Sequence, residues 1–569
     1  MAKIKSPEGL EKFRQELVAG LDPDMPSISV CTGSSCLAFG AGEVLAAFKA
    51  EVAKQGLEAN VTTKAAGCPG FCERGPVVVI YPEEICYLQV RPEDVAEIVS
   101  TTIKEKKVVE RLLYTDPSTG EVAIHEYDIP FYKNQKRLVI NNNIKIDPRS
   151  IDDYIAVGGY SALQKVIEGM TQEEVIEEID KSKLRGRSGS GFPVGFKWES
   201  CHKSSGGDPK YIICNCHEGD PGAFADRRLL EATPHTVLEG MIIGCYAIGS
   251  PMGYIFVGDE FPQTVENARQ AIRQAEEYGF LGKNILGSGF DLTIEVYIDG
   301  GGYVLGESTA LMASMEGRIG EPRTKYDHGT DRGLWAKPTV LNNLQSWANV
   351  PFIINNGAEA FRAIGTEEST GTRVFSLKGK VNNTGMVEVP MGMTFRELIY
   401  DVGGGIRGGR KFKALEAGGP MGGFIPESLL DTKIDYEEMD QVDLAMGPGL
   451  LVIDEDTCIV DMVKFFLTFL ANESCGKCTP CREGLKQMLW IFDKITTGRG
   501  EVGDLELLEE IAAVQQEAAL CALGQGAAGP LLTSLKHFRE EFDAHIMEKR
   551  CPAGVCKELS QNKIYSQAR

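Results

Sequence analysis

Three cysteines within seven residues, Cys475, Cys478 and Cys481 in the run SCGKCTPC, constrain this chain more than any other feature. The C-x2-C-x2-C spacing lets three thiolates wrap one face of a cubane cluster, and a fourth ligand must come from another element. Cys521, in LCALG, can supply it. Thiolates suit both zinc and iron–sulfur. A structural zinc site typically uses paired C-x2-C units, so the even triple favours [4Fe–4S]. A helix is expected to begin near Cys481, with its positive N-terminal end toward the anionic cluster. Leu485, Met488, Leu489 and Phe492 fall at i, i+3, i+4 and i+7 and mark one buried face of that helix.

Two further sets stand out. Cys31-x4-Cys36 is followed 31 residues later by Cys68-x3-Cys72. Two pairs on two loops of a small α/β unit suit a [2Fe–2S] cluster, each pair holding one iron. The alternative is a redox-inactive thioredoxin-like domain with four buried thiols. Near the C-terminal end lies His545-x5-Cys551-x4-Cys556, and Cys458 precedes the helical region. Three thiols and an imidazole suit tetrahedral zinc. Buried thiols are the other reading, and spacing leaves open whether Cys458 comes close. Cys86, Cys201, Cys214, Cys216 and Cys245 have no partner pattern and read as core residues. The start, MAKIKSPEGLEKFRQEL, has no apolar signal-peptide core. The other eleven of the sixteen cysteines therefore read as metal ligands rather than disulfides, in a cytoplasmic protein.

At 569 residues the chain is expected to hold three or four domains. Its net charge of −22 argues against nucleic acid, and against docking on an anionic membrane. The uncharged stretch Gly240 to Gly258 contains Ser250-Pro251 and several glycines, so it reads as helix, turn and strand rather than a transmembrane segment. Residues 1–105 pattern as a small α/β unit. Residues 106–160 look like a linker leading into the next unit, and 161–365 alternate helices with short apolar strands. Residues 366–440 look β-rich, and 455–550 are strongly helical. Residues 551–569 form a tail with candidate zinc ligands, frayed from Asn562 on.

The 64 glycines concentrate in loops. In SKLRGRSGSGFPVGFKW, Gly186, Gly189, Gly191 and Gly195 lie between cations that include Arg187 and Lys197. A backbone without Cβ atoms approaches a phosphate or a flat ring closely. This is not the Rossmann fingerprint, because the glycines run G-x-x-G-x-G after a predicted helix. In IEVYIDGGGYVLGESTAL a strand and glycine loop precede a helix expected near Ser308, a phosphate-cradling arrangement. CNCHEGDPGAFADR places Glu218 and Asp220 beside Gly219 and Gly222, where carboxylates can accept hydrogen bonds from ribityl or ribose hydroxyls. There is no Walker A pattern.

Together these segments resemble the flavin-bearing, NADH-oxidising subunit of respiratory complex I. They are closer still to the β subunits of electron-bifurcating hydrogenases and related soluble flavin complexes. The motifs are LRGRSGSGFPVGFKW, CNCHEGDPGAFADR, GGGYVLGESTAL, KPTVLNNLQSWANVP and ESCGKCTPCREG, in the family's order over nearly the whole chain. The resemblance implies a multidomain α/β fold. Its parts are a thioredoxin-like [2Fe–2S] domain, a Rossmann-like FMN domain, a ubiquitin-like β-grasp module and a C-terminal helical bundle with a [4Fe–4S] cluster. It implies FMN against Gly186, Arg187, Gly189 and Lys197, with Asn215 and Glu218 on the ring side. Tyr303, Gly306 and Glu307 would form the second wall, and Asn342, Asn343 and Ser346 the phosphate end. Asp220 and Lys325 complete the set, with Glu218 and Glu307 as the catalytic carboxylates. Zinc at Cys458, His545, Cys551 and Cys556 matches a hinge in such relatives.

The implied activity is hydride exchange between NAD(H) or NADP(H) and FMN, followed by electron transfer to iron–sulfur clusters, with electron bifurcation in the hydrogenase-type relatives. The implied partners are a small [2Fe–2S] subunit, a hydrogenase- or dehydrogenase-like catalytic subunit, and ferredoxin. Many of those relatives end in a ferredoxin-like domain whose cysteines this sequence lacks. The electron exit is therefore expected to differ or to lie on another subunit. The dinucleotide pocket departs from the family. Phe192 is kept, but Ser200 and His328 stand where relatives have aromatic residues, Ser308 replaces a Glu, and His217 replaces an Asp. The second reading is thus an electron-transfer module that has lost its dinucleotide site and whose flavin is fed by a partner protein.

Overall fold

The computed structural model describes residues 3–559 and contains three main sheets and a helical C-terminal region. The expected frayed tail from Asn562 lies outside the described residues. The first sheet has the order Thr62–Ala66, Ser27–Cys31, Val78–Tyr81, Ile85–Tyr87. Only the first pair is parallel. The Ala41–Lys54 helix covers it, burying Ala41, Val44, Phe48 and Val52 at helical spacing. Cys31 ends one strand and Cys36 lies on the short helix Ser34–Ala38 after it, while Cys68 follows the parallel neighbour Thr62–Ala66 and Cys72 opens a 3-10 turn, so the sheet holds both pairs at one end.

The 106–160 segment is packed rather than extended. Phe131 stacks on Phe71 of the first unit with ring centroids 4.2 Å apart. The buried Glu388 of the third sheet accepts backbone N–H bonds from Val139 and Ile140. This segment therefore joins two units instead of spacing them apart.

The second sheet is parallel throughout, in the order Thr339–Asn343, Tyr211–Cys216, Met252–Gly258, Thr293–Asp299. The inner strands Tyr211–Cys216 and Met252–Gly258 are mostly buried because helices cover the sheet, whereas in the edge strand Thr293–Asp299 only Ile294 is buried. The Pro234–Ile248 helix, almost wholly buried, followed by a turn and Met252–Gly258, accounts for the uncharged stretch. Among the described residues no helix is long and apolar enough to cross a membrane. The strand order reverses between Tyr211–Cys216 and Thr339–Asn343. In open α/β sheets ligands bind at such a switch point, beyond the carboxyl ends of the strands.

The third sheet runs Gly385–Pro390, Thr372–Gly379, Gly449–Asp454, Phe412–Ala417, Gly423–Pro426. Its central strand, Gly449–Asp454, comes from beyond residue 440. The β-rich unit therefore closes only when the chain returns to pair in parallel with Thr372–Gly379. The helical region packs Ile459–Glu473, Thr479–Thr496, Asp504–Ala518 and Gly529–Ile546 against this sheet and against the second one.

Candidate functional site

The carboxyl ends of the two switch-point strands open into a cavity of about 790 Å³, within the usual range for a cofactor pocket. Every residue expected to contact the cofactor lines it except Ser346. Gly186, Arg187, Gly189, Phe192 and Lys197 come from the glycine loop and the helix Val194–Lys203 that follows it. Asn215, Glu218 and Asp220 follow one strand, and Asn342 and Asn343 end the other. Tyr303, Gly306, Glu307 and Lys325 close the far wall. Gly189 has φ +121°, and a Cβ there would overlap the Met446 carbonyl oxygen, so only glycine lets this loop seat. Ser346 is fully buried behind the wall, and its Oγ accepts the Arg187 N–H at 3.0 Å. It positions the loop rather than facing the cavity.

The charges are arranged by burial and by helix ends. Glu218 accepts the N–H groups of Asp226 and Arg227 at 2.9 and 3.1 Å, the first turn of the Ala225–Ala232 helix. Burial, with Asp226 adding to it, pushes Glu218 up to about 8. Burial and the nearby Lys325 push Lys197 down to about 8. Lys197 donates to the Leu341 carbonyl at 2.9 Å and to Asn342 Oδ1 at 3.1 Å. Glu307 caps the Ser308–Met315 helix, accepting from Thr309 and Ala310, and pairs with Lys325 at 2.9 Å. Burial opposes its ionisation, but hydrogen bonds from Thr309 and Lys325 hold it below the usual carboxylate range. The two expected carboxylates thus differ: one is easily protonated and the other is firmly ionised.

Several residues here were not expected. Arg373, on Thr372–Gly379, is 1% exposed, and its Nε and Nη2 have no hydrogen-bond partner. It neighbours the equally buried Arg187, whose Nε is also unpartnered and whose pKa falls to about 10 from burial, with Arg373 contributing. Arg187 lines the cavity and Arg373 lies behind it; two dry guanidiniums with idle donors suit an anionic group such as a phosphate. Asn342 Nδ2, Asp220 Oδ2 and both ring nitrogens of His217 are likewise buried and unpartnered, as hydrogen-bonding groups for a polar chain would be. FMN, with one phosphate, a polyhydroxyl chain and a flat ring, fits this donor set. Arg373 lies on another module 186 residues from Arg187, so no local motif could reveal it.

The departures from the family also line the cavity: Ser200, His217, Ser308 and His328. Phe196 does too. It precedes Ser200 by one turn on the same helix and sits edge-to-face against Phe192, centroids 5.8 Å apart. An aromatic ring absent at position 200 is present one turn earlier. The signal was in the sequence, as an i, i+4 offset.

Cys475, Cys478, Cys481 and Cys521 converge on one pocket with Val304, Pro322, Lys477 and Leu523. Cys478 caps the Thr479–Thr496 helix, two residues earlier than expected, and Ser474 Oγ lies 3.2 Å from Cys481 Sγ. Val304 and Leu523 line both this pocket and the large cavity, so a single layer of side chains separates the two. The four thiols are those of the expected [4Fe–4S] set.

Cys31, Cys36, Cys68 and Cys72 are each at most 8% exposed. Cys68 and Cys72 Sγ atoms lie 3.8 Å apart. Gly75 is required here, because a Cβ would meet Cys36 Sγ at 2.6 Å. The site is roofed by the Ala225–Ala232 helix. Arg228 bonds Ser35, Glu231 accepts the Ser34 N–H, and the unpartnered Arg228 Nε and Nη1 lie among the sulfurs' charge neighbours. A buried cation beside four thiolates suits an anionic [2Fe–2S] cluster. The first turn of the same helix is held by Glu218 in the cavity wall.

Cys458, His545, Cys551 and Cys556 come together with all ligand atoms within 4.8 Å of one another. Cys458 Sγ lies 3.5 Å from His545 Nε2, and Cys556 Sγ lies 3.4 Å from it. His545 Nδ1 bonds the Glu541 carbonyl at 2.6 Å, which turns Nε2 toward the sulfurs. Cys458 does reach the set, a point that spacing left open.

The fold and these pockets define a flavin and iron–sulfur electron-transfer protein. The sequence matches the Nuo51 FMN-binding domain over residues 179–352 and the NADH-ubiquinone oxidoreductase-F iron-sulfur binding region over 461–545. It also matches the SLBB domain over 374–425 and the thioredoxin-like [2Fe-2S] ferredoxin over 23–102. The HndC subunit of the NADP-reducing hydrogenase of Solidesulfovibrio fructosivorans is 48% identical over 75% of this chain and 87% of its own length. An F-type NADH-quinone oxidoreductase subunit of Rhizobium meliloti (strain 1021) is 42% identical over 73% of this chain and 99% of its own. In fold, the chain resembles a solved NAD+-reducing [NiFe]-hydrogenase in the H2-reduced state. The TM-score is 0.64 at 23% identity, covering 99% of this chain and 94% of that one. The chain belongs to the family of the NADH-quinone oxidoreductase flavin subunit and its hydrogenase relatives.

Proposed function

We propose that this subunit holds FMN in the switch-point cavity, takes electrons from a nicotinamide dinucleotide and passes them singly to the [4Fe–4S] set. The observation that carries this reading is the shared wall of Val304 and Leu523 between the two pockets. FMN, when bound, supplies the conversion between two-electron and one-electron chemistry. Arg187, Arg373, Asn342 and Asn343 hold its phosphate end. Asn215, Glu218 and Tyr303 orient the ring, and Gly189 with the Met446 backbone excludes water. Phe192 and Phe196 form the platform on which the dinucleotide's purine stacks. This favours a working dinucleotide site over one that has been lost. Arg323 and Lys325 give its rim cationic character, and Ser308 brings no carboxylate, so NADPH is accommodated as well as NADH.

The Cys458, His545, Cys551 and Cys556 set is proposed to hold zinc. The [2Fe–2S] set joins the flavin through the Ala225–Ala232 helix. The chain works in the cytoplasm within a multisubunit complex, with a small [2Fe–2S] subunit and a hydrogenase- or dehydrogenase-like partner. The test is an anaerobic titration of the reconstituted complex with NADH and, separately, NADPH. Bleaching of flavin and clusters by either nucleotide supports the reading. Full FMN and iron contents with no bleaching by either would replace it with a flavin fed by a partner protein. Repeating the titration with oxidised ferredoxin and a second acceptor tests bifurcation: simultaneous reduction of both supports it.

A further inference from the structure

Behind the cavity, where the third sheet meets the switch-point loop, two buried carboxyl side chains and a half-buried lysine come close. Asp220 lines the cavity and is 8% exposed. Glu416, on Phe412–Ala417, is 1% exposed. Asp220 Oδ1 accepts the Gly222 N–H at 2.8 Å, but its Oδ2 has no partner, and neither has Glu416 Oε1. Lys378, on Thr372–Gly379, brings the cation. Its Nζ occupies the place a Cβ on Gly222 would take. A Cβ on Gly449 would lie 3.3 Å from Asp220 Oδ2 and 3.4 Å from Lys378 Nζ, so carboxylate and ammonium flank the same glycine. Gly419 packs on Asp220 Oδ2, and its N–H bonds the Glu416 carboxyl. The two carboxyls and the lysine thus converge on three glycines from three segments, next to a loop (Gly418, Met421) that lines the cavity.

Two carboxylates and one ammonium would leave a net negative charge in this dry place, and burying an uncompensated charge is expensive. One proton removes it. We propose that Asp220, Glu416 and Lys378 form a single-proton site behind the flavin pocket, with Glu416 as the proton-holding residue and Asp220 as its outlet to the cavity. The proposal rests on the cavity binding a redox-active flavin. When the dinucleotide delivers a hydride, the pocket gains one negative charge. Glu416 then gives its proton through Asp220 to the reduced flavin, which would take it up in a new N–H bond: the Glu416 O–H bond breaks, its electron pair stays on the carboxylate, and Lys378 compensates the charge. When electrons leave for the clusters, that N–H bond would break and its proton return to Glu416. Burial pushes the Glu416 carboxyl well up, with Lys378 opposing and Asp220 adding to the rise. The remaining group facing the pair is the Tyr303 hydroxyl, raised by burial and by Asp220, Glu416 and Glu473, and so a proton donor rather than a charge.

The experiment is infrared difference spectroscopy of the full chain, reading the deuterium-sensitive carbonyl band of a protonated carboxylic acid. In the flavin-free protein carrying Glu218→Gln, which removes the cavity carboxyl that titrates near 8, the neutral-minus-alkaline difference should show this band, and adding Glu416→Gln should remove it while retaining the fold by circular dichroism. In the flavin-loaded protein, the band should be present when oxidised and bleach on reduction. Lys378→Met should keep it in both states, because the product carboxylate has lost its counter-cation. Absence of the band in the flavin-free protein, or its survival in Glu416→Gln, overturns the proton site whatever the fate of the flavin. A band that is present but does not change on reduction overturns the coupling. If no flavin binds, the functional reading fails, yet the flavin-free arm still decides whether Glu416 holds a proton.

Discussion

The two iron–sulfur sites each use four cysteines and differ in their surroundings. The N-terminal thiols are all buried, roofed by a helix of the flavin domain and faced by Arg228. In the C-terminal set Cys475 is exposed, and Cys478 and Cys521 are half-buried, with a thin wall of Val304 and Leu523 on the other side. A cluster with one face on the flavin and one on solvent is built for passage. A cluster enclosed by its own chain is built for a fixed electrostatic environment. On the proposed function the exit would lie at the C-terminal set, with a relay or storage role for the N-terminal one.

The largest effects should come from the ligands themselves. Cys478→Ser should abolish the [4Fe–4S] signal and electron delivery to external acceptors, while flavin reduction by dinucleotide and the [2Fe–2S] signal persist. Cys68→Ser should lower the melting temperature more than Cys478→Ser does, because it changes a wholly buried, interdomain site. Equal melting shifts measured by calorimetry would break the contrast between the two sites. Next in size is Arg228→Met. It removes a buried cation from one cluster only. By Coulomb's law this is worth on the order of 1–3 kcal/mol in reduction free energy, read as a lower [2Fe–2S] potential in a redox titration, with the [4Fe–4S] potential unmoved.

Smaller again is Phe196→Ala. Losing one stacking ring should weaken dinucleotide binding by about 0.5–1.5 kcal/mol, seen as a higher KM with kcat retained. If the loss is absent, Phe196 is only a pocket-mouth residue. The smallest effect is a pH dependence. As pH rises through about 8, Glu218 gains a charge and Lys197 loses one. Both changes disfavour a phosphate-bearing ligand, so FMN affinity should fall above that pH, and Glu218→Gln should shallow the slope. For folding alone the two oppose. Glu218's contribution is present below its unfolded value of 4.5 and is lost as pH rises through about 8. Lys197, depressed from 10.5, adds stability only as pH rises from about 8 toward 10.5. The flavin-free chain should therefore be least stable near pH 8 and recover above it, whereas FMN affinity keeps falling.

Sequence spacing revealed ligands that sit close in the chain. Cys475, Cys478 and Cys481 fall on one turn and the start of one helix, so their geometry is local. The loop and strand-end residues from Gly186 to Asn343 were legible because each motif places its own backbone at the switch point. What stayed hidden arises between units. Cys458 meets His545 across 87 positions, and Arg373 meets Arg187 only once the third sheet docks. Lys378 comes near Asp220 through the space left by Gly222 and Gly449. Ser346 shows the reverse error: its motif was right, but its hydroxyl holds the Arg187 backbone instead of the cavity's contents. The 106–160 segment read as a linker because its charges and turns dominate locally, whereas its contribution comes from Phe131 and the backbone held by Glu388.

The most direct test is rapid-freeze electron paramagnetic resonance of the holoprotein mixed with dinucleotide and then with a soluble one-electron acceptor. The C-terminal [4Fe–4S] signal should rise together with flavin bleaching and be the first to decay when acceptor is added, with the N-terminal [2Fe–2S] signal following. A [2Fe–2S] signal that rises with the flavin and drains first to the acceptor, while the [4Fe–4S] signal lags, would contradict the assignment of the exit to the open site.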